Sequence, residues 1–331
     1  MSNKASRIVC RVDANPIVGQ GHLSRLLALA RMLSNNFQIL FISLEGSRAY
    51  CSKYAHEFAH KFITAESELA CHLKPNDILA LDGYEYDAVQ MVALRSLISC
   101  IVYIDDSCSA PSYADMVINH TPGVTVADYT ATDSVRFCLG LDYCLVRPDI
   151  FDLRPGAVED VQADGILVCF GGADPLGLCE KFVNELLAQG FLDPIVAVGR
   201  IPSHLAAAAN VHHIENIDQK GLAQLMAAAR IVLLSASVVT FEAAALRCAI
   251  FSIYYTENQK ANYLGMLEQG MVAGGGRTVN EEEVSIAVGK FMTLYRDEPA
   301  LEELRRRVEA SIDGQAGKRF LSAIEALVCV S

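Results

Sequence analysis

The amino-acid sequence predicts an α/β protein built from two doubly wound domains. Three observations carry that expectation. At 331 residues the chain is longer than one hydrophobic core usually serves. Short, near-continuous apolar runs alternate with helical periodicity, as in parallel sheets covered on both faces. The alternation lapses once, between Arg147 and Asp164, where Pro148, Pro155, Gly156 and several acids break it, and then restarts. The expected boundaries are 1–150 for the first domain, 165–312 for the second and 313–331 for a closing helix.

In the first domain, Ile8–Val12 reads as a strand. A Gly-rich turn follows, then an amphipathic helix from Leu23 to Leu33, with Leu23, Leu26, Leu27 and Ala30 on one face. Further strands are expected at Phe37–Ile42, Ile78–Leu81, Cys100–Ile104 and Met116–Ile118. His56 to His60 falls in a segment that reads as an ordinary helix. After the lapse, Ile166–Phe170 is a strand, Pro175–Gln189 a helix, and Pro194–Val198, Ile231–Leu234 and Ile250–Ile253 are strands. His212-His213 reads as a surface strand or loop, and Gly274-Gly275-Gly276 as a flexible turn. Helices at Glu281–Leu294, Ala300–Ile312 and Lys318–Val328 close the chain.

The formal net charge of −12 argues against a general nucleic-acid binder, which needs clustered Lys and Arg to neutralise phosphates. The 11 cysteines form no CxxC and are scattered through apolar runs, where free Cys acts as a small hydrophobe and a reducing compartment is expected. The first residues carry Lys4, Arg7, Arg11 and Asp13 and no apolar leader. No uncharged apolar run reaches about 18 residues, the length of a membrane span. A cytoplasmic protein is the expectation.

Gly19-Gln20-Gly21-His22 lies between the first strand and its helix. Glycines there let a ligand approach the backbone and aim free N–H groups at an anion. His22 adds a group that exchanges a proton near neutral pH, and the helix dipole favours its neutral, proton-accepting form. A merely capping histidine fits the same position. The spacing is not that of the dinucleotide fingerprint GxGxxG. Phe170-Gly171-Gly172-Ala173-Asp174-Pro175 is a second strand-to-helix turn, either a diphosphate cradle or a tight turn with Asp174 as N-cap and Pro175 opening the helix. Ser235-Ala236-Ser237 follows a strand, with Ser237 a natural N-cap. Glu242 falls early in the next helix, as an acceptor for ribose hydroxyls or as a solvated glutamate. His56-Glu57-Phe58-Ala59-His60 matches HExxH, but no HxxGxxH extension follows and nothing specifies a third ligand, so a zinc peptidase is set aside. Asp82 with Tyr84, and Asp105-Asp106, end strands as substrate contacts, a metal pair or loop caps.

These motifs, in this order, resemble the UDP-sugar hydrolases of pseudaminic acid biosynthesis, which act on UDP-2,4-diacetamido-2,4,6-trideoxy-β-L-altropyranose. Spore-coat polysaccharide proteins look similar. The resemblance runs through most of the chain: Arg11-Val12-Asp13, Ile17, Gly19, Gly21-His22, Arg25, Leu44-Glu45-Gly46, Asp82, Tyr84, Ile104-Asp105-Asp106, Asn119, Leu145, Arg147, Phe151, Gly171-Gly172, Asp174, Ser235, Ser237, Glu242 and Asn258-Gln259. It implies a GT-B-like fold with an interdomain cleft. The N-terminal domain would take the sugar and the C-terminal domain UDP, and the closing helix would cross back to the first domain.

The implied reaction is attack by water on the anomeric carbon, releasing UDP and the free sugar. His22 would be the general base. Gly171 and Gly172 would stabilise charge on departing UDP, with Ser235, Ser237 and Glu242 holding the nucleotide. Asp13, Gly21, Arg25, Tyr84, Asp106, Asn258 and Gln259 would meet or orient the sugar, Tyr86 being the competing tyrosine. The resemblance implies no metal, cofactor or obligate protein partner. The product would feed flagellin, capsule or lipopolysaccharide glycosylation. Two other readings share the UDP site: a glycosyltransferase, which needs an acceptor, and a non-catalytic nucleotide-sugar binding protein.

Overall fold

A computed structural model of the chain describes residues 7–15, 20–83, 86–108, 113–130, 134–154, 163–171 and 174–328. Tyr84, Gly172, Ile17 and Gly19 lie outside these residues. The chain divides into two compact units, Met1–Pro148 with Gln315–Ser331, and Asp149–Gly314.

The first unit runs β1 (Arg7–Arg11), α1 (Gly21–Leu33), β2 (Gln38–Leu44), α2 (Arg48–Tyr54), β3 (Ala59–Ile63), β4 (Ile78–Asp82), α3 (Ala88–Arg95), β5 (Cys100–Ile104), β6 (Met116–Asn119) and β7 (Arg136–Leu139). The strands pair in parallel in the order β3-β2-β1-β4-β5-β6-β7. Strands β4 and β5 are buried along their whole length, which is why both read as unbroken apolar runs. One core joins Ile8, Cys10 and Val102 to Leu23, Leu26 and Leu27 of α1. The other joins Val9, Leu79 and Ile101 to Met91 and Leu94 of α3.

The second unit runs β8 (Ala163–Cys169), α4 (Leu178–Ala188), β9 (Ile195–Val198), α5 (Ser203–Ala206), β10 (Val211–Ile214), α6 (Gln219–Ala228), β11 (Ala229–Ser235), α7 (Val238–Ala245), β12 (Ile250–Tyr254), α8 (Glu257–Glu268), β13 (Ala273–Arg277), α9 (Glu281–Tyr295) and α10 (Glu298–Glu309). Its parallel sheet has the order β10-β9-β8-β11-β12-β13. The last helix, α11 (Ala316–Val328), belongs to the first unit, where Phe320, Ala323 and Ile324 enter the core beside α1. No helix among the described residues is long and apolar enough to cross a membrane.

Several local expectations are corrected. The HExxH stretch is not a helix: α2 ends at Tyr54 and His60 lies in β3. Its ring stacks between Phe41 and Phe62, with centroids 5.3 and 4.8 Å away. This leaves the two histidines without the shared helical face that zinc ligation by this motif requires. Gly274-Gly275-Gly276 is not a turn but the body of β13. A Cβ on Gly274 would come within 2.1 Å of the Tyr263 hydroxyl, and one on Gly275 within 2.6 Å of Ile253 Cγ2. The glycines there admit neighbours from α8 and β12. Helix α4 starts at Leu178, not Pro175, behind Gly177 at φ +61°.

In each sheet the strand order reverses once, between β1 and β4 and between β8 and β11. Crevices beyond the carboxyl ends of strands at such points are where open α/β sheets bind ligands.

Candidate functional site

In the first unit, chemistry-bearing side chains gather at the reversal between β1 and β4. His22 sits in the first turn of α1, and Asp82 is the last residue of β4. His22 Nδ1 lies 2.6 Å from Asp82 Oδ1. A carboxylate oxygen that close to a ring nitrogen needs a hydrogen between them, so Nδ1 carries the proton and donates it to Asp82. With Nδ1–H held by Asp82, Nε2 is the ring nitrogen that can exchange a second proton. The Asp82 side chain is 0% exposed. Arg25, one turn along α1, grips it with a two-pronged fork: Nε donates to Oδ2 at 2.9 Å and Nη2 to Oδ1 at 2.7 Å. Arg25 Nη1 donates to Asp106 Oδ2 at 2.6 Å. Burial works against the Arg25 charge, but the two carboxylates outweigh it and hold the guanidinium firmly protonated.

Neighbouring residues brace this cluster. Asp13 accepts from Arg11 Nη2 at 2.7 Å, from the Leu44 amide at 2.7 Å and from Ser47 Oγ at 3.0 Å. Burial pushes its carboxyl up, yet Arg11 and these bonds prevail and keep it below the usual carboxylate range. Asp13 thus ties the loop after β1 to the end of β2. The Tyr103 hydroxyl donates to the Gly83 carbonyl at 2.6 Å and holds the turn after Asp82. Asp105 accepts from the Ser107 amide and hydroxyl, both at 2.9 Å, so it caps its own loop. Asn119 accepts from the Thr121 amide and donates to the Tyr129 hydroxyl. Gly21 is the first, exposed residue of α1.

In the second unit, the reversal between β8 and β11 carries the other cluster. Gly171 follows β8 at φ +95°, a conformation that favours glycine. Asp174 accepts from the Leu178 and Cys179 amides at 2.8 and 2.9 Å, and so occupies the first free N–H groups of α4. Those amides are therefore committed to Asp174 and not to an external anion. Helix α7 differs: Ser237 stands at its N-cap position, but its side chain makes no capping bond. An uncapped helix start keeps the electrostatic character suited to a phosphate. Glu242 lies one turn further on and is buried. The Ser235 and Tyr255 hydroxyls both donate to the Phe170 carbonyl at 3.5 Å. Buried Gln259 accepts from the Tyr255 amide at 3.1 Å, while exposed Asn258 accepts from Thr256 Oγ1 at 2.6 Å.

Asp13, Gly21, His22, Arg25 and Asp106 therefore share the carboxyl edge of the first sheet. Gly171, Ser235, Ser237, Glu242, Asn258 and Gln259 share that of the second. Sequence reasoning named Asp82 only as a strand-end acid and missed its pairing with His22. It also missed Tyr255 and the buried His120. All three stand at or just past the end of a predicted apolar strand, and that position was the available signal.

No family model matches the chain. An uncharacterised protein of Methanocaldococcus jannaschii is 23% identical over 283 residues, 78% of this chain, which spans 57% of that protein's length. The UDP-2,4-diacetamido-2,4,6-trideoxy-β-L-altropyranose hydrolase of Campylobacter jejuni is 23% identical over 276 residues, covering 80% of this chain and 97% of the hydrolase. Among solved structures, MurG of Acinetobacter baumannii is 13% identical with TM-score 0.63 and covers 97% of this chain and 99% of its own. UGT2 of Phytolacca americana, solved with UDP-2fluoro-glucose and pterostilbene, is 11% identical with TM-score 0.67, covering 98% and 100%. HepE of Anabaena, solved with UDP and glucose, is 13% identical with TM-score 0.61, covering 97% and 100%. In sequence the chain thus resembles the UDP-sugar hydrolase of Campylobacter jejuni, and in fold it is a GT-B protein.

Proposed function

We propose that this protein hydrolyses a UDP-linked amino sugar, UDP-2,4-diacetamido-2,4,6-trideoxy-β-L-altropyranose, at the anomeric carbon. The observation that carries the proposal is the His22–Asp82 pair at the strand reversal of the first sheet. An imidazole whose Nδ1–H is held by a buried carboxylate acts, when neutral, as a base through Nε2. In the reaction, Nε2 takes one proton from water as the water oxygen bonds to the anomeric carbon. The bond from that carbon to the β-phosphate oxygen breaks, and its electron pair leaves with UDP. Asp82 stabilises the imidazolium without taking its proton, which is later lost to solvent.

The second unit is the nucleotide side of this reading. Glu242 accepts the ribose hydroxyls. The uncapped start of α7, with Ser235, Ser237 and the turn at Gly171, meets the diphosphate and the charge that develops on it. Donors on Gln259 and Asn258 orient the sugar. Similarity to the Campylobacter hydrolase over most of both chains supports this assignment, and the UDP complexes of the fold neighbours support a UDP site.

The test is incubation with the UDP-sugar in H₂¹⁸O without any acceptor. The expected products are UDP without label and free sugar carrying ¹⁸O. Label in UDP would mean attack at phosphorus. A release of UDP that depends on an added acceptor would establish the glycosyltransferase instead. His22→Gln is expected to keep UDP affinity while losing turnover by about 10²- to 10⁴-fold, the usual contribution of a general base. Wild-type turnover by that variant would remove His22 from the mechanism.

A further inference from the structure

We infer that Arg25 is a positioning residue for His22, acting through Asp82, and not a ligand of the sugar. The inference rests on the reading of His22 as the base. Its first ground is commitment. All three guanidinium nitrogens are engaged at 2.6–2.9 Å, two by Asp82 and one by Asp106, and the side chain is only 7% exposed. Its second ground is geometry. The fork of Nε and Nη2 on the two oxygens of Asp82 fixes the plane of that carboxylate, and the same Oδ1 that takes Nη2 takes His22 Nδ1. His22 and Arg25 are three residues apart on α1, so they present to one face and reach Asp82 together across the strand reversal.

The third ground is charge. Arg25 Nη2 lies 3.0 Å from His22 Nδ1. A guanidinium has no lone pair to accept a proton, so this proximity is tolerated because both groups point at Asp82. His22 meets Asp82 of β4 and Arg25 of α1, Arg25 reaches on to Asp106 after β5, and the charges of Arg25, Asp82 and Asp106 also act on His120 after β6. Arg25 is the cation that links these two acids. Replacing its fork with the single point charge of lysine would free the Asp82 carboxylate to rotate, and His22 would lose its one tautomer.

The experiment has two readouts. ¹⁵N-histidine NMR of the unliganded protein reports which ring nitrogen of His22 carries hydrogen. The expected wild-type result is the Nδ1–H tautomer, and Arg25→Lys is expected to give a tautomer mixture. An Nε2–H tautomer in the wild type overturns the inference whether or not any variant folds. In steady-state assays, Arg25→Lys is expected to lower kcat at least about 10-fold, within the general-base contribution, with KM changed less than about twofold. A rise in KM at unchanged kcat would make Arg25 a sugar ligand and overturn the assignment. Absence of turnover by the wild type on any UDP-sugar would sink the hydrolase reading alone, because the tautomer measurement needs no reaction.

Discussion

His120 illustrates how a single buried group can govern acid stability. Its Nδ1 accepts the Leu145 amide at 3.1 Å. Burial, reinforced by the Arg25 charge, pushes its pKa down to about 3 from an ordinary 6.5. Above pH 6.5 both folded and unfolded states carry it neutral, and it costs nothing. Between about pH 6.5 and 3 only the unfolded state takes up the proton, so stability is lost as the pH is lowered, by up to about 1.4 kcal/mol per unit. Urea titrations from pH 7 to 4.5 should show a shallower loss for His120→Gln than for wild type; identical slopes would exclude His120 as the source. At the sheet edge proposed for the nucleotide, Glu242→Ala should weaken UDP binding about 10- to 100-fold, the value of hydrogen bonds to a charged acceptor. Unchanged affinity by calorimetry would remove Glu242 from the ribose. The candidate residues were visible in the sequence because strand-end and glycine-turn positions announce the ligand edge of a parallel sheet. Their partnerships were not. Nothing in the spacing of His22 and Asp82, 60 residues apart, says that their side chains meet at 2.6 Å.

The secondary elements divide in a similar way. The central strands β1, β4, β5, β8, β11 and β12 were legible because burial on both faces demands unbroken apolar residues. The four strands that escaped a firm reading, β3, β7, β10 and β13, are the four sheet edges. Edge strands carry less two-sided burial, and their sequences AHKFI, RFCL, VHHI and AGGGR show it by mixing polar, charged or glycine residues into the run. Strand β13 is the extreme case, since its glycines serve neighbours and not the strand itself. A methyl group on Gly275 would meet Ile253, Phe251 and Ala287 at 2.6–3.1 Å. Gly275→Ala should therefore cost about 1–3 kcal/mol through overpacking. The midpoint of guanidinium unfolding measures it, and an unchanged midpoint would show that the β12–α9 packing yields freely.

At the scale of the whole molecule, the chain leaves its first unit at Pro148 and re-enters it at Gln315, with the entire second unit between. Helix α11 closes the core over α1: Phe320 is fully buried, its ring 5.4 Å from that of Tyr143, and Gly317 allows close approach to Met32. Phe320→Ala should cost about 3–5 kcal/mol, as large-to-small changes in a core do. Hydrogen exchange at the α1 amides should accelerate accordingly, and unaltered protection there would mean that α11 is dispensable to the first unit. This arrangement also bears on how the protein is born. Domains usually fold in the order in which the ribosome delivers them. Here the segment delivered second, Asp149–Gly314, is contiguous and can finish on its own, whereas the segment delivered first waits for α11. The nascent first unit therefore exposes the oily flank of α1 throughout synthesis of the second. That interval is when a chaperone has most to do.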